Sequence, residues 1–153
     1  MSGIINSAGS KSGVIGTTSI DYEEGEFTFA VTASGCTFNI NGSYTTGKYC
    51  KIGNLVHIQG LLGTTTGTTG SGTAHLTLPF ANGDFVQEGE ACGGGMAGYG
   101  VDVGGTNSVL TWEMPAGPST YVKFAATVDG GAWGTIAFST PTYYMFSIHY
   151  MTG

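Results

Sequence analysis

The carboxylates in this sequence could support the widest range of chemistry, and most of them fall into two short acidic stretches. The members are Asp21, Glu23, Glu24 and Glu26 in the first stretch, and Asp84, Glu88 and Glu90 in the second. A Ca²⁺ loop places oxygen ligands at alternate positions and adds a glycine and a terminal glutamate. The first stretch lacks that spacing, so we interpret it as a solvated linker. A glycoside hydrolase needs two carboxyl groups at a set separation, which spacing along the chain does not define.

Histidine and cysteine are the other candidate ligands and nucleophiles. The histidines stand alone in or beside predicted strands, and the cysteines are odd in number and widely spaced: His57, His75 and His149; Cys36, Cys50 and Cys92. Neither set has zinc-ligand spacing or the pattern of a disulfide framework. We interpret the histidines as structural or interfacial, and the cysteines as reduced small hydrophobes of a protein made in a cytoplasm. With no G-x-S-x-G motif and no phosphate-binding glycine motif, we expect no enzyme activity, metal or cofactor.

Composition narrows the class of partner. The chain has four lysines, no arginine and ten acidic residues, and its net charge of -6 argues against nucleic-acid binding. Charged residues make up only 9% of the chain, which indicates surface hidden in an oligomer; chance is the alternative. No apolar run is long enough for a transmembrane helix, and the start lacks the pattern of a secretory signal. We therefore expect no membrane insertion.

Short runs of alternating apolar residues, separated by glycine and asparagine turns, predict strands rather than helices. The runs are Glu26–Thr32, Lys48–Ile52, Leu55–Leu61, Ala74–Leu78, Ser108–Glu113, Thr120–Val128, Trp133–Phe138 and Tyr143–Met151. Gly53-Asn54 between two runs predicts a hairpin. The pattern favours an all-β, antiparallel β-sandwich that is jelly-roll-like, with an immunoglobulin-type sandwich as the alternative. Two glycine-rich segments, Gly63–Gly72 and Gly89–Gly105, are interpreted as exposed loops; the second could instead form bulges or close contacts near a symmetry axis.

Large aromatic side chains mark the final run on both faces. A strand that is apolar on both faces must be covered twice, by the core on one side and by a further layer on the other. We therefore place an interface with a partner subunit here, formed by Tyr143, Tyr144, Phe146, His149 and Tyr150. A central strand in a monomer is the alternative. The remaining prominent aromatics are interpreted as core anchors, with sugar-stacking platforms as the alternative: Trp112, Tyr121 and Trp133.

The first 25 residues differ from the rest of the chain. They are rich in glycine, serine and threonine and bury too little apolar surface to fold alone, yet they contain two apolar pairs, Ile4-Ile5 and Val14-Ile15. We divide the chain into an extended N-terminal attachment arm, residues 1–25, and a β-sandwich domain, residues 26–153. The arm is interpreted as ordering against other chains, with a disordered tail as the alternative.

Three sequence blocks carry a resemblance to a known family. They are the arm with Glu24-Gly25-Glu26-Phe27-Thr28, the block from Tyr44 to Gly60, and Leu78-Pro79-Phe80. Together they resemble small virion proteins of tailed bacteriophages. The resemblance covers about the first half of the chain and the tyrosine-rich final strand.

The resemblance implies a non-enzymatic homotrimer on the particle surface, made in the bacterial cytoplasm. Its arm would dock on other virion proteins, capsid or tail, through Ile4, Ile5, Val14 and Ile15. The role would be tail fibre and receptor binding, with host glycan as a candidate ligand, or capsid decoration as a head fibre or cement protein. The alternatives are a carbohydrate-binding or glycan-cleaving β-sandwich protein and a free monomeric lectin.

Overall fold

The fold was analysed in a computed structural model that describes residues 21–94, 96–99, 109–127, 136–138 and 143–153. This part of the chain is all-β and contains no helix. Its strands are β1 (Tyr22–Thr28), β2 (Val31–Thr37), β3 (Thr46–Ile52), β4 (Leu55–Gly63), β5 (Thr69–Thr77), β6 (Cys92–Gly93), β7 (Met96–Tyr99), β8 (Val109–Glu113), β9 (Tyr121–Thr127), β10 (Ile136–Phe138) and β11 (Tyr143–Met151).

The strands form two antiparallel sheets. Sheet A has the order β1-β3-β4-β11-β7. In sheet B, β2 pairs with one edge of β5, while β9 and β10 pair with the other edge, and β8 and β6 follow β9. The all-β, antiparallel character predicted from the sequence is confirmed, and two sheets in this arrangement are compatible with a β-sandwich.

One hydrophobic core takes side chains from both sheets. Sheet A contributes Val56, Ile58, Leu62, Tyr144, Phe146, Ile148 and Tyr150, and sheet B contributes Ala74, Leu76, Leu110, Trp112, Val122, Phe124 and Ala126. The ring centroids of Tyr144 and Phe124, which belong to different sheets, are 6.2 Å apart. The period-two apolar pattern thus places one face of each sheet in the core and leaves the other face outside.

The predicted hairpin at Gly53-Asn54 is confirmed. Strands β3 and β4 pair from Ile52↔Leu55 to Gly47↔Gly60, and Gly53 has a φ of 57°, which suits glycine in a tight hairpin turn. Val56 and Ile58 point into the core, while Leu55, His57 and Gln59 point away from it. This burial pattern has the period of two that the alternating run Leu55–Leu61 predicts.

The predicted first strand, Glu26–Thr32, is wrong as a single element. The chain forms β1 up to Thr28, crosses at Phe29-Ala30, and begins β2 in the other sheet at Val31. The crossing is fixed by the buried Phe29 side chain, by Phe29 N–H donating to the Thr45 carbonyl at 2.8 Å, and by Ala30 N–H donating to Thr77 Oγ1 at 2.8 Å. A continuous alternation of apolar residues does not distinguish one long strand from two consecutive strands that lie in different sheets.

The boundary of the arm also differs. Tyr22 to Gly25, which the sequence assigned to the arm, lie in β1 and pair with β3. The first acidic stretch is therefore a strand whose exposed carboxylates belong to a sheet, and its interpretation as a linker was wrong. The rest of the predicted arm, residues 1–20, lies outside the described residues, as do Ile4, Ile5, Val14 and Ile15.

The two glycine-rich segments are not simple loops. Gly63 ends β4 and Thr69 begins β5, so only residues 64–68 connect them, and Thr64 and Thr68 there are buried. Thr68 Oγ1 accepts a hydrogen bond from the Asn39 N–H at 2.9 Å. The second segment contains β6 and β7, while its residues 95 and 100–105 lie outside the described part. Small residues in these stretches allow the backbones of neighbouring strands to pack closely. A glycine-rich sequence fits an exposed loop equally well, so composition alone does not separate the two structures.

The later predicted strands agree with the structure where it describes them. Strands β8 and β9 occupy the runs Ser108–Glu113 and Thr120–Val128 and pair as a hairpin, and β11 has the predicted bounds. Of the run Trp133–Phe138, the structure describes only Ile136–Phe138 as β10. Trp133 is outside the described residues.

Candidate functional site

The final strand β11 lies in the middle of sheet A, between β4 and β7, and its side chains alternate strictly between core and surface. Tyr144, Phe146 and Tyr150 are 0%, 3% and 2% exposed in the single chain. Their assignment to a trimer interface was therefore wrong, because these side chains have no surface to offer a partner. Burial raises the pKa of the Tyr150 phenol, whose hydroxyl donates to the Phe80 carbonyl at 2.9 Å.

The other two predicted interface residues lie on the opposite face of β11. Tyr143 is half-buried between the rings of Tyr44 and Tyr99, with centroid distances of 5.5 and 6.4 Å. His149 is exposed, and its ring meets Trp112 edge-on at 5.7 Å. The outer face of sheet A is consequently where a candidate interaction surface remains.

A continuous row of apolar side chains crosses this outer face. The strand registers place four residues side by side on β1, β3, β4 and β11, and we call them the apolar row: Tyr22, Ile52, Leu55 and Met151. They are 56%, 48%, 46% and 48% exposed. At the usual strand spacing the row is about 14 Å wide. Single exposed apolar residues are ordinary, whereas a contiguous group marks an interaction surface.

The same face holds most of the exposed apolar surface of the described residues. Of seven exposed large apolar side chains there, four form the apolar row. Met145 on β11 and Tyr99 on β7 lie on the same face toward the other end of β11, and only Val86 lies elsewhere. The sequence did not reveal this grouping because the four residues of the row come from three separate segments. Only the strand registers bring them together. The alternation of the runs Lys48–Ile52, Leu55–Leu61 and Tyr143–Met151 was the usable signal for three of the four side chains.

Two polar rows run parallel to the apolar row. The first consists of Glu24, Cys50, His57 and His149, and the second of Glu26, Lys48, Gln59 and Ser147. His57 Nε2 lies 2.9 Å from Ser147 Oγ, and Lys48 Nζ lies 3.8 Å from the Glu26 carboxylate. These rows line an open depression of about 440 Å³ on β1, β3 and β4.

The Tyr22 hydroxyl of the apolar row donates a hydrogen bond to the Glu24 carboxylate, and this bond raises the pKa of Tyr22 to about 12.

The first polar row contains metal-ligand side chains, but their placement does not form a metal centre. Among the residues that the structure describes, no group of three histidine, cysteine, aspartate or glutamate side chains is arranged to hold an ion. Cys36, Cys50 and Cys92 are all free thiols. The outer face of sheet A thus carries one apolar row beside two polar rows.

The second acidic stretch contributes to a charged cluster that involves sheet B. Glu88 pairs with Lys123 of β9, and this hydrogen bond lowers the pKa of Glu88. Burial, followed by the neighbouring Glu88 carboxylate, raises the pKa of Glu113 on β8. The neighbouring Glu88 and Glu113 carboxyl groups therefore influence each other's charge. Burial lowers the pKa of nearby His75, whose ring stacks on Tyr121 at 4.3 Å.

A second depression, of about 480 Å³, lies beside the end of sheet A where the β3–β4 turn is. Its lining includes Lys51, Asn54, Phe80 and Asp84. The Lys51 ammonium lies 5.7 Å from the centroid of the Phe80 ring and 3.2 Å from the Asp21 carboxylate. An aromatic ring beside amide and carboxylate groups is a combination that could contact a polar ligand such as a saccharide.

The aromatic residues singled out from the sequence are placed as follows. Trp112 is 1% exposed in the core, so its interpretation as a core anchor is confirmed. Tyr121 is half-buried and stacked on His75, and Trp133 lies outside the described residues. His75 is accordingly a packed surface residue, and His57 is paired with Ser147.

No family model, curated protein or solved structure matches the chain. The described residues include no helix long and apolar enough to cross a membrane.

Proposed function

We propose that the protein is a non-enzymatic structural protein of a tailed-phage virion, a homotrimer that is displayed on the particle surface. The observation that carries the binding role is the apolar row on the outer face of sheet A, where four half-exposed side chains lie side by side. The low content of charged residues supports a surface that is covered in an assembly. The virion class comes from the resemblance of the sequence blocks described above.

The apolar row is large enough to matter energetically. Complete burial of a large apolar side chain contributes about 1.5–3 kcal/mol, so covering the exposed half contributes about 0.8–1.5 kcal/mol. Four such residues give roughly 3–6 kcal/mol at each interface before the costs of association. In a closed ring of three subunits these contacts would act together, which makes the assembly tighter than any one contact.

The finer structural features belong to this proposal as well. The two antiparallel sheets would have the connectivity of a jelly roll, and the arm would dock on capsid or tail proteins through its apolar pairs. Within the virion, a decoration protein would cover the capsid in high copy number, whereas a tail fibre or receptor-binding tip would be present in few copies. The number of copies per particle therefore separates the two roles.

Carbohydrate binding is a second candidate function, favoured by the depression beside Phe80. The Phe80 ring, the Asn54 amide and the Asp84 carboxylate offer apolar and hydrogen-bonding groups within one concave surface. Calorimetric titration with host surface polysaccharide would show saturable binding that Asp84→Asn weakens. Shortening of the polysaccharide during incubation would instead indicate glycan cleavage.

The test of the proposed function is the mass of the protein in solution and its presence on particles. Native mass spectrometry is expected to give a species of three times the 15.6 kDa chain mass. An antibody against the domain is expected to label purified particles of the phage that encodes it. A monomer that is absent from particles would overturn the proposal.

A further inference from the structure

We propose that the apolar row of sheet A is the docking site for the N-terminal segment of a second copy of this chain, with Val14-Ile15 seated on the row. The inference deepens the proposed function, since it rests on self-assembly and names the occupant of the surface. The occupant is argued from where the segment joins the domain, its length and its charge.

The course of the chain at Asp21 favours a second copy over the chain's own face. The Asp21 carbonyl accepts a hydrogen bond from Gly53 N–H at 2.7 Å, and its carboxylate pairs with Lys51 at 3.2 Å. Both contacts hold Asp21 beside the β3–β4 turn as a continuation of β1. Tyr22, the first residue of β1, is also a member of the apolar row. The chain therefore joins the domain at the row while heading past the end of its own sheet.

The length of the segment suits a neighbouring copy. Val14 precedes Tyr22 by eight residues, which reach about 26 Å when extended. This exceeds the roughly 14 Å width of the row and allows the pair to reach an adjacent subunit. Ile4 precedes Tyr22 by 18 residues and could reach about 59 Å. The near pair would thus join copies, which narrows the docking on other virion proteins, assigned above to both pairs, to Ile4-Ile5.

Charge is complementary between the segment and the face. Residues 1–20 contain Lys11 and no acidic residue. The polar rows beside the apolar row contain Glu24 and Glu26 against the single lysine Lys48. Lys11 is three residues from Val14, about 10 Å when extended, and the first polar row lies about 6.6 Å from the apolar row. Seating Val14 on the row therefore brings Lys11 within reach of the carboxylates.

A native thiol provides the test. Cys50 is a free cysteine two residues from Ile52, on the same outer face. Ser12→Cys, placed two residues from Val14 in a Cys36→Ser, Cys92→Ser background, is expected to form a disulfide with Cys50 of another chain on mild oxidation. Non-reducing electrophoresis then shows covalent oligomers. The same protein with Cys50→Ser is the matched control and stays uncrosslinked.

The outcomes separate this inference from the proposed function. A disulfide within one chain, or a trimer that forms no 12–50 disulfide, overturns the docking site while the trimeric virion protein stands. A monomer in solution overturns both. A second measurement compares two double variants, one in the segment (Val14→Ser with Ile15→Ser) and one in the row (Ile52→Thr with Leu55→Thr). Each double variant should raise the dissociation constant of the oligomer at least tenfold. The quadruple variant should raise it no further than the larger of these two effects, because both double variants remove the same contact.

Discussion

Replacing the two central residues of the apolar row by threonine is the most informative perturbation of the proposed interface. Ile52 and Leu55 are direct cross-strand partners and are 48% and 46% exposed. Threonine has a β-branched side chain with good strand propensity, while it removes most of the apolar surface of either residue. The pair Ile52→Thr and Leu55→Thr should therefore weaken assembly far more than it weakens the fold.

The magnitude follows from the exposed halves of the two side chains. Each contributes about 0.8–1.5 kcal/mol when a partner covers it, so the pair contributes about 1.5–3 kcal/mol at each interface. At about 1.4 kcal/mol per factor of ten, the dissociation constant should rise roughly 10- to 150-fold. The loss should be visible as a shift toward monomer at low concentration.

Sedimentation velocity over a dilution series measures this shift, and thermal unfolding of the monomer checks the fold. Val86→Thr is the matched control, since Val86 is 83% exposed and lies outside both sheets and the row. Assembly that is unaffected by the double substitution, with a normal unfolding transition, would refute the assignment of the apolar row as an interface. An equal loss of assembly in the Val86 variant would refute it as well.

Three further predictions concern the fold and the charged cluster. Gly72→Ala should lower the free energy of unfolding by about 1–3 kcal/mol in chemical denaturation, because its Cβ would clash with the Ser34 carbonyl oxygen. Gly42→Ala, where the Cβ would meet open space, should leave the stability unchanged, and equal stability of the two variants would restore the loop interpretation. Phe146→Ala should cost about 3–5 kcal/mol as a core substitution, whereas a stable domain that merely fails to assemble would contradict its placement. The Glu88–Lys123 pair lowers the pKa of Glu88, so the wild type should have a higher melting temperature than Glu88→Gln. This difference in melting temperature should be fully present above about pH 4.3 and should disappear as the pH falls through the lowered pKa of Glu88. A difference that does not change with pH would contradict the prediction.

The sequence was a good guide where local pattern and local structure coincide. The hairpin at Gly53-Asn54, the antiparallel class and the bounds of β11 follow from period-two alternation and from glycine at a turn with positive φ. It was a poor guide where two structures share one pattern. The run through Phe29 reads as one strand, although a change of sheet keeps the alternation, and the glycine-rich run before Gly72 reads as a loop, although small residues also permit close strand packing.

In the candidate site, too, the local sequence pattern predicts some features and misses others. The tyrosines of β11 suggested an interface because large side chains appear on both faces, yet Tyr144 and Tyr150 are held by the core. The apolar row depends on which residue of β1 lies beside which residue of β3, β4 and β11, and that information is in the registers. A sequence pattern can show that Leu55 points outward, but only the paired strands show what lies next to it.

The structure of the assembled particle tests the central claim most directly. Cryo-electron microscopy of purified particles of the encoding phage is expected to show this domain as a surface trimer whose subunits meet at the outer face of sheet A. Particles without the protein, or a domain present as a monomer with Ile52 and Leu55 facing solvent, would contradict the account.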